Sequence, residues 1–244
     1  MTRTLLIDGD IVIYQYASTV EHEVDWGDDV WSMWADAKEA KELILQYIEH
    51  LKEATIADDV VFCLSDKDNF RKEIYPEYKA NRKGKRKPTI YKALVDWVHK
   101  TFETQVWEGL EADDVLGILQ TSDTIKGETV IVSEDKDLLT VPGLLWRQGE
   151  LHNISQEEAD FNFFTQILTG DSVDNYGGCT GIGAVRAERI LKEKGATWAT
   201  IVDTYKKANL TEDYALIQAR LARILRAEDF VWEFLQPKLW SPNA

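Results

Sequence analysis

The chain has 244 residues, 44% hydrophobic and 29% charged, the proportions of a soluble globular protein with one large domain or a domain plus a helical lobe, and they exclude a disordered or fibrous polymer. Against 28 Lys and Arg stand 43 Asp and Glu, and the formal net charge of −15, taken alone, argues against nucleic acid as a partner. The two cysteines, Cys63 in VVFCL and Cys179 in a Gly-rich stretch, suggest no disulfide framework; with no signal-type leader and no apolar run of membrane-spanning length, a reducing cytoplasm is the expected location.

In chain order, TLLID (4–8) is a short apolar run that stops on Asp8 and reads as a buried strand. VWSMWADAKEAKELILQYIEHLKEA (30–54) repeats apolar residues every three or four positions and predicts the longest helix. DVVFCLS (59–65), the weaker TQVWE (104–108) and ETVIVS (128–133) predict further strands. Strands alternating with helices imply an α/β fold with a central, mostly parallel sheet covered on both faces. After SQEEADFNFFTQILTG (155–170) a Gly-rich loop leads to helical stretches at about 184–195, 197–208 and 212–227, so the expected division is an α/β core over 1–170 and a helical lobe over 171–244. Trp26, Trp31, Trp34, Trp97 and Trp107 read as core and helix-packing residues rather than base-stacking platforms. There is no internal repeat and no low-complexity tract.

The acids follow the predicted strands. Asp8 ends the first, Asp66 follows the second in LSDKD, and Asp135 and Asp137 follow the third in VSEDKD. Parallel strands place their C-terminal ends on one edge of the sheet, so these residues should converge. EADDVLGIL puts Glu111, Asp113 and Asp114 in the first turn of a helix, and TGDSVDN puts Asp171 and Asp174 at the junction with the lobe. Singly, each acid is better explained as a turn or helix cap. Jointly, unpartnered carboxylates would repel one another unless divalent cations neutralised them, and an oxygen-only ligand set suits Mg²⁺ or Mn²⁺. His22, His50, His99 and His152 are scattered, so no zinc cluster competes. Two such ions about 3.5–4 Å apart serve in-line phosphoryl chemistry. Nine candidate ligands would supply most of the excess negative charge, and the acidity becomes in part that of a metal pocket.

YKANRKGKRKP (78–88) packs Lys79, Arg82, Lys83, Lys85, Arg86 and Lys87 into one span of an anionic chain, where it would attract phosphates locally; a solvated charge run is the plainer alternative. Lys79 and Arg82, three apart, would project from a helical segment toward one phosphate. Tyr78 suits base stacking or a structural role about equally. In GGCTGIGAVRAERIL (177–191), Gly181, Ile182 and Gly183 precede a helix whose N-terminal amides could grip a phosphate, although glycines before a helix often serve only the turn. The start LLIDGDIV also fits the Asp-x-Asp-x-Val pattern of haloacid dehalogenase-type phosphatases, with Asp8 as nucleophile and Asp10 as acid, but that reading leaves Glu111, Asp113, Asp114, the basic stretch and the glycine loop unexplained. A DNA-binding module that has lost activity is a third possibility, opposed by the retention of so many self-repelling acids.

The ordered set LLIDGD, LSDKD with YKANR, EADD, SEDKDL and TGDSVDN with GIG resembles the metal-dependent 5′ nucleases of the flap endonuclease superfamily, over about residues 4–195. YKANRK, VDWGDDVW (24–31) and LARILRAEDF (221–230) are similar to the phage T7-type 5′-to-3′ exonucleases within it. The resemblance implies a PIN-like core with a central twisted sheet, a basic helical arch around 71–100, a helix-three-turn-helix element around 175–195, and a role in phage DNA replication and recombination. It implies that Asp8, Asp66, Glu111 and Asp113 serve one Mg²⁺ and Asp135, Asp137 and Asp174 a second. Asp114 and Asp171 would bind directly or hold waters, and Asp10 has no firm ligand role. Lys79 and Arg82 would act with Asp8 and Asp113 in catalysis, and the Gly181–Gly183 backbone would hold K⁺ against a DNA phosphate. The expected partners are DNA with 5′ ends, nicks or flaps and RNA–DNA hybrids, acted on by a monomer without a membrane.

Overall fold

The computed structural model describes residues 2–242; Met1, Asn243 and Ala244, at the outer ends of the two expected units, lie outside the described residues. β1 (Arg3–Asp8) runs directly into α1 (Gly9–Thr19), because the Asp8 carboxylate accepts the Ile11 amide at 3.2 Å and caps the helix. Gly9 permits this corner: a β-carbon there would stand 2.8 Å from the Cys63 carbonyl oxygen.

β2 (Glu21–Asp25) and β3 (Trp31–Ala35) then form an antiparallel hairpin, followed by α2 (Ala37–Thr55). The helix expected over 30–54 therefore starts later. Asp36 takes the amides of Lys38 and Glu39 and caps α2, while cross-strand stacking of His22 on Trp34, centroids 4.4 Å apart, holds the preceding residues extended. Trp26, Trp31 and Trp34 are 69%, 54% and 56% exposed on this hairpin, against the packing role expected of them. Trp97 and Trp107 do pack against the core.

Next come β4 (Asp59–Cys63), the single turn α3 (Arg71–Ile74), α4 (Tyr91–Thr101), β5 (Glu103–Gln105), α5 (Ala112–Thr121), β6 (Glu128–Val132), β7 (Gly143–Arg147) and β8 (Glu150–Ile154). The sheet order is β5-β4-β1-β6-β7-β8, parallel throughout except for β8, which pairs antiparallel with β7. The two-residue alternation of β1 sends Leu5 and Ile7 into a core with α1, α2 and α4, and Leu6 into a core with α5 on the opposite face. The segment 71–100, expected as an arch, is tied down at both ends: Arg71 and Tyr78 are buried, and Leu94 and Val98 of α4 lie in the sheet-side core. Lys83 to Lys87 form its exposed middle.

A third core joins α6 (Gln156–Thr169), α7 (Ala184–Lys194), α8 (Trp198–Lys207) and α9 (Glu212–Ala222). Within 175–195 there is one helix, α7; the helix before it is α6, and turns fill the interval. α9 ends at Ala222, short of the expected 227, because the chain extends to bury Ile224 and Leu225 beside α5. A short hairpin of β9 (Phe230–Val231) and β10 (Gln236–Pro237) follows. Among the described residues no helix is long and apolar enough to cross a membrane.

Candidate active site

Three carboxylates reach one pocket from distant parts of the chain. Asp8 at the end of β1, Asp113 in the first turn of α5 and Asp135 beyond β6 line a cavity of about 120 Å³ with Asp10, Glu111, Asp174, Lys79 and Arg82. Parallel pairing of β1 with β6 puts their exits side by side, and Ser133 ties them: its hydroxyl donates to Asp8 at 2.7 Å and accepts the Asp135 amide at 3.0 Å. Removal from water and the neighbouring charges of Asp10 and Asp135 outweigh that hydrogen bond and the Ile11 amide, and raise Asp8 to about 7. Burial, then repulsion from Asp8 and Asp135, raises Asp113 well above the usual carboxylate range. This part of the pocket carries negative charge that its own side chains do not neutralise.

Glu111, Asp137, Asp171 and Asp174 are matched by cations. Lys79 donates to Glu111 and lies 3.5 Å from Asp174, while Arg82 pairs with Asp174 at 2.5 Å. Burial alone would raise Glu111, but Lys79 and Arg71 overcome it and bring the carboxyl down to about 2. Lys79 reaches this position from a left-handed backbone, φ 54°, held by the hydrogen bond that its backbone N–H donates to the Asp174 carbonyl at 2.9 Å. A 3-10 turn over Ala80–Arg82, rather than an α-helix, brings Arg82 to the same carboxylate. Lys136 bridges Asp137 at 3.0 Å and Asp171 at 2.7 Å. Asp137 is nonetheless raised to about 6, by burial and by Asp135.

Several expected site residues stand elsewhere. Asp114 is fully buried; Arg71 grips both its oxygens at 2.7 Å and the Leu225 amide adds a third bond, so the carboxylate faces the junction with the lobe and not the pocket. Asp66 accepts the Gly109 amide at 2.9 Å and lines an adjoining groove that shares Ser65, Lys79, Arg82 and Glu111 with the pocket. Tyr78 is 3% exposed and its hydroxyl donates to Glu111 and Asp174, which removes its ring from base stacking and leaves the structural role. Arg86 is clamped by Glu21 at 2.5 Å; Lys83 and Lys85 are exposed. Gly181 and Gly183 are exposed around Ile182, which is buried in the lobe core and anchors the loop.

Arg71, Ser133 and Lys136 were not singled out from the sequence. Lys136 could have been, since it stands between two predicted ligands in EDKD; Arg71 and Ser133 carry no local signal.

Fold and site together define an α/β protein of the 5′ nuclease class, with acids at the sheet edge faced by a lysine and an arginine. The family described as "5′-3′ exonuclease, N-terminal resolvase-like domain" matches residues 3–159, and the chain belongs to it. The exodeoxyribonuclease of Enterobacteria phage T3 is 29% identical over 98% of this chain and 93% of its own length, and the exonuclease of Escherichia phage T7 is 29% identical with the same coverage. The phage T5 5′-exonuclease with bound zinc superposes with a TM-score of 0.70 at 19% identity, covering 90% of this chain and 89% of that one. A phage T5 flap endonuclease complex with DNA and metal ions superposes at 0.68 and 18% identity over 90% and 88%. These two likenesses concern the fold. Membership of the exonuclease family sets aside the phosphatase reading.

Proposed function

We propose that this 5′-3′ exonuclease hydrolyses phosphodiester bonds near the 5′ ends of duplex, nicked or flapped DNA, and of RNA paired to DNA, with two divalent cations, in phage DNA replication and recombination. The convergence of Asp8, Asp113 and Asp135 opposite Lys79 and Arg82 in one pocket carries this reading.

The donor set suits the ions: every acid offers oxygen, and the raised Asp8 and Asp113 mark charge that calls for a cation. Among the described residues no three His, Cys, Asp or Glu side chains are grouped so as to hold an ion by themselves, and Mg²⁺ commonly completes its shell with water around one or two carboxylates. Because Asp135 lines the pocket with Asp8 and Asp113 while Asp66 lines the adjoining groove, the expected split changes: Asp8, Glu111, Asp113 and Asp135 would hold one Mg²⁺, with Asp66 acting through water; Asp137, Asp171 and Asp174 would hold the other, and Mn²⁺ would substitute. Bound there, the ions supply Lewis-acid stabilisation of the attacking and leaving oxygens. Lys79 and Arg82 exchange Glu111 and Asp174 for the scissile phosphate, orient it, and stabilise the charge that develops on it. Asp114 leaves the ligand set and positions Glu111 through Arg71 and its own bond to the Glu111 amide. Lys83 and Lys85 and the Gly181–Gly183 backbone contact DNA phosphates away from the cut, the latter with K⁺. The protein works as a monomer, its core over 1–170 cutting and its lobe over 171–244, which shares a hydrophobic core with α6, holding the duplex.

Duplexes labelled at the 5′ or the 3′ end, blunt, nicked, flapped or containing RNA, and digested with Mg²⁺ test the proposal. Early release of short 5′-labelled products, abolished by chelation, is expected; 3′ label lost first, or no cleavage, overturns it.

A further inference from the structure

The hairpin of β2 and β3 keeps five large apolar side chains in water: Trp26, Val30, Trp31, Met33 and Trp34 are 39–69% exposed. Ala35, at its base, packs against the sheet-side core. The pairing register sorts the other residues onto two faces. Glu21, Glu23 and Asp25 stand opposite Ala35, Met33 and Trp31 on one face, while His22 and Val24 stand opposite Trp34 and Ser32 on the other. The first face therefore sets a row of carboxylates beside a row of apolar side chains. Two further acids, Asp28 and Asp29, occupy the turn, and the sequence from Glu21 to Asp36 contains neither Lys nor Arg. One cation already uses this face: the Arg86 guanidinium, arriving from the basic stretch, lies 2.5 Å from Glu21 and 3.6 Å from Glu23. Asp25 and Trp31 continue the same two rows toward the turn.

We infer that this hairpin is the docking surface for a protein segment in which Lys or Arg alternates with large apolar side chains. Apolar area is the first argument. Contiguous exposed indoles are unfavourable in water, and tryptophan is among the residues that contribute most when an interface buries them. Charge is the second, and it selects the occupant. The carboxylates repel nucleic-acid phosphates and acidic segments, a purely apolar partner would bury them unpaired, and a second copy of a chain with net charge −15 repels the first. A Lys or Arg side chain suits both rows at once, with its charged head against a carboxylate and over an indole face. Arg86 supplies the precedent within the chain itself: a partner's cations would extend its pairing with Glu21 and Glu23 along Asp25 and Trp31. An extended partner segment has the same two-residue period as these rows, so its alternate side chains meet them in register.

A displayed library of random peptides about 12 residues long, panned against the full-length protein, tests the inference. Enrichment of sequences that mix Lys or Arg with Trp, Phe, Leu or Ile is expected; acidic or uncharged sequences, or no enrichment, overturn it. Fluorescence anisotropy of the enriched peptide, labelled, should show binding weakened about tenfold or more by Trp31→Ser and retained by Trp31→Tyr. Glu23→Gln with Asp25→Asn should weaken it as well, and the Asn keeps the oxygen that accepts the Gly27 amide, so the turn is preserved. Equal binding by the wild type and these variants overturns the assignment. DNA cleavage by Trp31→Ser should keep the wild-type KM and kcat. A raised KM for DNA would give the surface to nucleic acid, and a concentration-dependent mass in sedimentation that Trp31→Ser abolishes would give it to a second copy; either result overturns the peptide assignment.

Discussion

Asp113 and Asp114 are neighbours on one helix turn, yet they belong to regions of opposite character. Asp113 faces a pocket where burial and like charges push its proton affinity up. Asp114 faces backward into the junction of core and lobe, where Arg71 neutralises it and the carbonyls of Leu221 and Arg223 accept the guanidinium's remaining donors. Two carboxylates in the same motif thus differ in kind: one stands among like charges in the candidate site, the other joins two cores through a satisfied network. A buried ion pair tolerates removal of both partners far better than removal of one, whereas an uncompensated acid costs stability while it stays.

The comparison makes predictions of decreasing size. Asp113→Asn should lower kcat by roughly 10³-fold or more in single-turnover assays with Mg²⁺, yet leave the metal-free Tm unchanged or higher, since a repelled charge is removed. Asp114→Ala should cost about 3–5 kcal/mol in denaturant titration by stranding Arg71, and the pair Arg71→Met with Asp114→Leu should cost less than the sum of the single changes. A stable Asp114→Ala protein would break the contrast. Lys79→Ala should slow the cutting step by about 10²-fold and weaken DNA binding in Ca²⁺ far less.

A smaller effect follows from proton linkage. Asp8 binds its proton more tightly in the fold, about 7 against an ordinary 3.8, so the native state holds more protons across that window and metal-free stability falls as pH rises through it. Glu111 acts with the opposite sign: its contribution, complete above 4.5, is lost as pH falls toward about 2. Cations bound at Asp8, as proposed, would relieve it, so the rise in Tm on adding Mg²⁺ should be larger near about pH 8 than near about pH 5, by calorimetry. An equal rise at both would remove Asp8 from the ion site. Smallest of all, Arg86→Ala should leave Tm without a resolvable change, since its pairs with Glu21 and Glu23 sit at the surface.

By itself the sequence determined β1, β4 and β6, whose apolar runs can only be buried, though not β7 and β8 at the sheet's edge; their parallel alternation with helices; the helices α7 to α9; and the meeting of Asp8, Asp113 and Asp135 at strand exits and a helix start. Those features rest on local composition and on the handed, two-sided geometry of a parallel sheet. Where side chains pointed beyond their own element, only the tertiary structure decided. The apolar spacing of 30–54 continued through Trp31 and Trp34, and nothing local said that a hairpin would leave them in water. Tyr78 and Asp114 have the same appearance in sequence as surface stackers and ligands. What separates them is Arg71 and Glu111, partners that sequence neighbourhood does not disclose, because a buried charge chooses its orientation by who is there to neutralise it.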